Sequence, residues 1–190
     1  MLPLRRRGRV RGRDQELVGK QQLKLGSRVL IGAIAGIAGT VAMTAAMRRM
    51  HQMLPEKERY PLTPRELTDV AADMAGVSPA EPVRKDITTA AHFAYGAASG
   101  AMLGAANLAL GPVPGGMAGL GVWLASYMGW IPGAGLLRPA TSHPPRRNAL
   151  MLVAHVVWGV ATAKTMAELA TARETIMKEG PAKDAPDPPE

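Results

Sequence analysis

The sequence contains no cysteine, a single phenylalanine (Phe93), and no Asp, Glu, Lys or Arg between Ile87 and Leu137. The first absence excludes disulfides, thiolate metal sites and thiol catalysis, and it leaves the redox compartment unread. Because aromatics make up only 4% of the chain, apolar area must come from Ala, Leu, Val and Met, with Gly allowing close approach. That balance suits helices packing in lipid, where small residues bring backbones together. The third absence restricts most. A soluble domain of 190 residues needs charge over its surface to stay dispersed, so this uncharged span predicts a chain that lives in a bilayer. The near-zero mean hydropathy averages such apolar stretches with charged ends and one charged loop.

Charge is present, but unevenly. The formal net charge of +8 and a pI near 10.3 would by themselves point to an anionic partner. Arg5, Arg6, Arg7, Arg9, Arg11 and Arg13 crowd the N-terminus, and residues 1 to 27 show no sustained apolar period. They read as a basic, disordered cytoplasmic arm with a topogenic role. Anionic lipid headgroups are the partner such an arm suits. Nucleic acid is disfavoured, since no aromatics interleave with the arginines to stack bases. A signal peptide is disfavoured too, because the uncharged run Val29 to Met47 exceeds the usual apolar region of about 7 to 15 residues.

A helix needs about 20 residues to cross roughly 30 Å of hydrocarbon, and four segments approach that length: 28 to 48, 87 to 110, 114 to 137 and 148 to 167. The turn Gly111 to Gly116, with Pro112 and Pro114, predicts an antiparallel hairpin of the second and third. In the 50 to 86 loop, Thr63-Pro64-Arg65-Glu66 has the form of a capping box. Leu67, Val70, Ala71 and Met74 recur at helical spacing before Gly76. A short amphipathic helix over about 64 to 75 follows, docked on the bundle or lying in the interface. The polar tail, 171 to 190, reads as disordered towards its end. The fold class expected is all-α: a polytopic membrane protein whose four transmembrane helices form a membrane domain over 28 to 170.

The chain also repeats itself. Ala91-His92-Phe93-Ala94-Tyr95-Gly96-Ala97-Ala98-Ser99 matches Ala154-His155-Val156-Val157-Trp158-Gly159-Val160-Ala161-Thr162, and Gly32 to Ile37 matches Gly115 to Leu120. The four helices are therefore a tandem repeat of a two-helix unit, with the two units related by a pseudo-twofold along the membrane normal. His92 and His155 then lie at similar depth on the same side.

With these motifs in view, residues 87 to 168 resemble the YagU family of bacterial inner-membrane proteins, a domain of unknown function numbered 1440, or a sister of it. The resemblance rests on His92 opening a small-residue helix, Gly115 to Gly121 leading to Trp123, Ile131-Pro132 before Gly135-Leu136, and His155-Val156-Val157-Trp158. It implies the bacterial inner membrane and brings no established activity; apart from it, the cytoplasmic reading of the basic arm and an even number of passes put both termini in the cytoplasm. Lys and Arg divide almost evenly between the two sides, so charge supports that orientation only weakly.

The residues that bear chemistry are few. Gly96, Gly100 and Gly104 form small-xxx-small steps, as do Gly32 with Gly36, Gly115 with Gly119, and Gly159 in the second unit. They point to close helix packing, with a homo-oligomer face as the alternative. His92 and His155, beside Tyr95 and Trp158, are the candidate polar or proton-relay site, since an ionisable group within a membrane is costly unless paired or wetted. The alternative is that each imidazole bonds a neighbour and fixes a crossing. No catalytic set, cofactor motif or metal site emerges, and haem suits glycine-tight helices poorly. Ser99 and Ser126 lack a carboxylate partner. Lys164 and Glu168 stand four apart as an interfacial pair, His143 lies in a proline-rich loop that solvent should reach, and Trp123, Trp130 and Trp158 are anchors or core. The function expected is a structural or interaction role in the envelope, with a small-solute, proton or cation pathway through the histidine pair as the alternative.

Overall fold

The computed structural model describes residues 23–108, 110–178 and 180. The Arg5 to Arg13 part of the arm and the end of the tail, 181 to 190, lie outside the described residues. Within them every regular element is helical. Five helices are long enough to organise the fold: α1 (Leu25–Gln52), α2 (Thr63–Met74), α3 (Glu81–Ala105), α4 (Pro112–Leu124) and α5 (Pro145–Thr175). Four of the five, α2 to α5, carry proline in the first turn, where its missing N–H is one of the unpaired donors of any helix start.

The ends differ from the sequence expectation for identifiable reasons. Helix α3 begins at Glu81 rather than near 87 because Pro82 and Glu81 make a good first turn, and it stops at Ala105 before Asn107, whose φ is 54°. Helix α5 continues to Thr175, past Lys164 and past the boundary expected at 170. Lys164 and Glu168 are both exposed on it. Helix α4 is the shortest of the four main helices. After Leu124 the chain widens into a π-helical stretch, Ala125–Trp130, followed by one short turn, Ile131–Gly133. Pro132 cannot donate to the carbonyl four residues back and its ring crowds it, and Gly129 absorbs the distortion at φ −106°, ψ −106°.

Thr63 does not cap α2. Its hydroxyl donates to Tyr127 Oη at 3.1 Å, and no side chain bonds the helix start. Gly76 does end it, at φ 66°, with Val77 N–H donating to the Ala72 carbonyl. The face that docks is also shifted: Thr63, Thr68 and Ala72 are the buried residues, whereas Met74 is 75% exposed.

Connectivity and packing part company at the Gly111 turn. Helix α3 packs on α1, α1 packs on α5, and α5 packs on α4, so the spatial order is α3, α1, α5, α4. Helices α3 and α4 are consecutive in sequence, yet each leans on another partner, and the expected direct hairpin is not made. Among the described residues, two helices, α1 and α5, are long and apolar enough to cross a membrane.

The two ends of the bundle are built differently. Near the chain termini, glycines let backbones touch: a Cβ on Gly32 would strike the Gly100 carbonyl, one on Gly36 the Gly96 carbonyl, and one on Gly104 the Arg28 carbonyl. The α4–α5 crossing repeats the pattern, with Gly119 against the His155 carbonyl and Gly115 against that of Gly159. Its register differs by one turn. Gly36 meets Gly96, four residues beyond His92, whereas its counterpart Gly119 meets His155 itself. Towards the connecting loops, Met43, Met47, Leu54, Leu150, Met151, Ala154 and Trp158 form the apolar core.

Candidate functional site

Where α3 and α4 diverge, the loop-side half of the molecule forms a partly open cavity of about 560 Å³, within the usual 300 to 1,000 Å³ of small-molecule sites. Its wall draws on α1 (Met43, Met47), α3 (Ile87, His92, Tyr95, Ser99), α4 and its π-helical extension (Trp123, Ser126, Tyr127, Trp130) and α5 (Met151, His155, Trp158). Helix α2 covers it with Leu67, Thr68, Ala71 and Ala72. No Asp, Glu, Lys or Arg lines it. The four residues singled out in the sequence, His92, Tyr95, His155 and Trp158, all contribute to this one wall, and so do all three tryptophans.

The paired positions have diverged in what they touch. His155 Nδ1 lies 2.8 Å from the Met151 carbonyl, which makes Nδ1 the donor and leaves Nε2 as an acceptor in the neutral ring. His92 packs edge-on against Phe93, and its Nε2 is enclosed without a protein partner. Tyr95 reaches across to hydrogen-bond Ser126 Oγ and sits beside the Trp130 ring. Trp158, 2% exposed, instead donates from Nε1 to the Gly36 carbonyl at 3.2 Å. That same carbonyl accepts the Thr40 hydroxyl at 2.8 Å, so Gly36 is the point where α1 meets both α3 and α5. Ser99, 2% exposed, and Trp123 also carry polar atoms with no partner. The candidate glycines are buried against partners within this chain.

The tryptophans take three roles rather than one: Trp158 is core, Trp123 is half-buried, and Trp130 is 48% exposed. His143 is not solvated. It stacks with Tyr127 at 5.6 Å between ring centroids, and its Nδ1 lies 3.4 Å from Tyr60 Oη.

One residue escaped the sequence reading altogether. Arg147, 3% exposed in the first turns of α5, donates from one Nη to the carbonyls of Glu58 and Tyr60 at 3.2 and 2.9 Å and from the other to that of Pro61 at 2.8 Å. Its guanidinium carbon lies 3.5 Å from the Tyr60 ring centroid, and Glu66 approaches to 3.7 Å. Burial pushes the Glu66 carboxyl above its usual range, with the Arg147 charge opposing that rise. Helix α2 is also held to the start of α3 by ions: Arg65 bridges Asp69 at 2.9 Å and Glu81 at 2.8 Å, and Arg84 reaches Asp69 at 3.3 Å. The hydrogen bonds from Arg65 hold the Glu81 carboxyl down at about 2. Among the described residues no group of three or more His, Asp or Glu side chains is placed to hold a metal.

Compared with known protein families, curated proteins and solved structures, the chain matches none.

Proposed function

We propose that the protein is a four-pass protein of the bacterial inner membrane, built from two copies of a helix pair, and that its activity is the binding or passage of a small molecule at the His92/His155 cavity. The membrane assignment is supported by how little of α1 and α5 is covered. A core helix of a soluble protein buries most of its apolar length, whereas only 33% and 39% of their most apolar windows are buried. Leu30, Ile34, Ile37, Val41, Met102, Val113, Met117 and Leu124 are exposed around the bundle. The repeat is supported by the two glycine crossings.

The observation that carries the functional reading is the single cavity shared by both histidines. A concave, mostly apolar space of about 560 Å³ beside two imidazoles has the size and lining of a small-molecule site. A scaffold role explains the glycine crossings and leaves this space without a purpose. Introduced cysteines test the reading, because the chain has none of its own. In membranes, His92→Cys and His155→Cys should both react with a small neutral methanethiosulfonate, and adding Ala91→Phe to either, at a further position on the cavity wall, should slow that reaction at least fivefold. Reaction at one site only, or rates indifferent to Ala91→Phe, would contradict a shared cavity.

The second reading is a proton path, favoured by the unpartnered Nε2 of His92. It predicts proton flux in reconstituted vesicles that is lost in a folded His92→Gln/His155→Gln variant. Equal flux in both, or none in either, removes it.

A further inference from the structure

The wall of the cavity indicates what fills it. It presents Met43, Met47, Met151, Leu67, Ile87 and Ile131 as hydrocarbon, with methionines able to adapt to an irregular guest. Its polar side chains are imidazole, hydroxyl and indole. With no carboxylate or cationic side chain on the wall, an ion entering from water would lose its hydration without a counter-charge, a penalty that excludes most charged guests. Water alone fits poorly as well, since each buried water seeks about three hydrogen bonds and most of this wall offers none.

The way in is set by the packing order. Helices α3 and α4 form the two ends of the row and do not pack along each other, so a seam between them opens sideways. On the cavity side it is spanned by the Tyr95 to Ser126 hydrogen bond and the Tyr95 to Trp130 ring contact, whose centroids lie 6.3 Å apart. Tyr95 and Trp130 are 39% and 48% exposed, so this strut is also part of the outer surface. The α4 side of the seam is the π-helical stretch around Gly129, where the helix departs from regular geometry. Wide turns of this kind recur at working sites.

We infer that the cavity is a lateral site for an uncharged amphiphile, a hydrocarbon chain ending in a hydroxyl, which enters from the bilayer between α3 and α4 past Tyr95 and Trp130. The inference rests on the reading of the cavity as a ligand site and names its guest. A hydroxyl both accepts and donates. His155, whose Nδ1 is already committed to Met151, offers its Nε2 lone pair to the donated proton, whereas the unpartnered polar atoms of His92, Ser99 and Trp123 are closed off from the cavity space.

Because Trp123, Trp130 and Trp158 all line the cavity, intrinsic fluorescence reports occupancy. The full chain would be placed in nanodiscs of unbrominated phosphatidylcholine and titrated with 9,10-dibromooctadecanol, a heavy-atom quencher with the proposed head. Saturable quenching is expected, with at least fivefold weaker response to the dibrominated octadecyl sulfate, which has the same chain and a fixed charge. Ala91→Phe, which fills the cavity away from the glycine crossings, should abolish the saturable component while leaving helix content unchanged. His155→Phe should weaken the apparent affinity about tenfold. Quenching that rises linearly with mole fraction, that is equal for alcohol and sulfate, or that ignores both substitutions would overturn the proposal. If saturable quenching fails while the His92→Cys and His155→Cys labelling is blocked by Ala91→Phe, the hydroxyl amphiphile is wrong and the shared cavity stands. If the labelling fails as well, the cavity is not the site.

Discussion

At the residue scale, the strongest single constraint is Arg147. A guanidinium this deep is tolerated because three carbonyls and the Tyr60 face replace water around it, and a planar fork can reach them all. Arg147→Lys keeps the charge but not the fork, and is expected to cost about 2 kcal/mol, read as a lower melting temperature in detergent. Arg147→Ala should cost more, on the order of 3 kcal/mol; equal stability of both variants to wild type would show the clamp to be incidental. Glu66 has the opposite sign. Its carboxyl is raised in the folded chain, so it binds its proton more tightly folded than unfolded. Stability should therefore rise as pH falls through the interval between its raised folded value and 4.5. Glu66→Gln should remove that dependence. Gly100 is a third test. A leucine there meets the Gly32 carbonyl and the Gly36 backbone, neither of which can rotate away, whereas Ala106 is exposed. Gly100→Leu should destabilise by about 3 kcal/mol and Ala106→Leu by less than 0.5 kcal/mol in thermal unfolding.

At the element scale, α2 is the helix that should report change first, for it covers the cavity and is tied down by ions that solvent can reach. Glu81 is held at about 2 by Arg65, so the contribution of this pair is fully present above the ordinary value of 4.5 and is lost as pH falls towards 2. Glu81 is open to solvent and Arg65 partly so, so the effect is small. Relative to the intrinsic exchange rate at each pH, protection of the α2 amides should fall a fewfold between pH 4.5 and 2, and Glu81→Gln should show the lower protection already at pH 7. Exchange unchanged by the substitution would mean that α2 is held by its buried face alone. Much of this element level was legible in the sequence: uncharged runs located the long helices, though they placed two starts late, near 87 and 148, where charged first turns with Pro82 and Pro145 open the helices earlier. The cap on α2 was not legible, because the competitor for the Thr63 hydroxyl, Tyr127, lies 64 residues away. The break in α4 was half legible. Pro132 and Gly129 stood in the sequence, but whether a helix kinks, ends or widens there depends on what packs beside it.

At the scale of the whole molecule, the sequence placed His92, Tyr95, His155 and Trp158 as a set, through the repeat, without showing the cavity that joins them. The cavity exists because α3 and α4 separate, and separation is a tertiary outcome: both have stronger glycine-mediated partners in α1 and α5. Arg147 was invisible for a related reason, since a loop arginine becomes a buried clamp only once the Glu58 to Pro61 segment folds over it. The account also predicts which loops share a side. Helices α1 and α5 have the length and apolarity to cross a membrane by themselves, whereas α3 carries a charged first turn and α4 is interrupted. A two-pass chain would leave the turn between α3 and α4 on the same side as the loop before α3. A four-pass chain returns it to the side of the termini. Single cysteines at Ser78, Ala106 and Met177, each exposed, distinguish these with an impermeant thiol reagent applied to intact cells and then to opened ones. The four-pass account predicts that Ala106→Cys behaves like Met177→Cys and opposite to Ser78→Cys. Ala106→Cys labelling together with Ser78→Cys, and opposite to Met177→Cys, would contradict it.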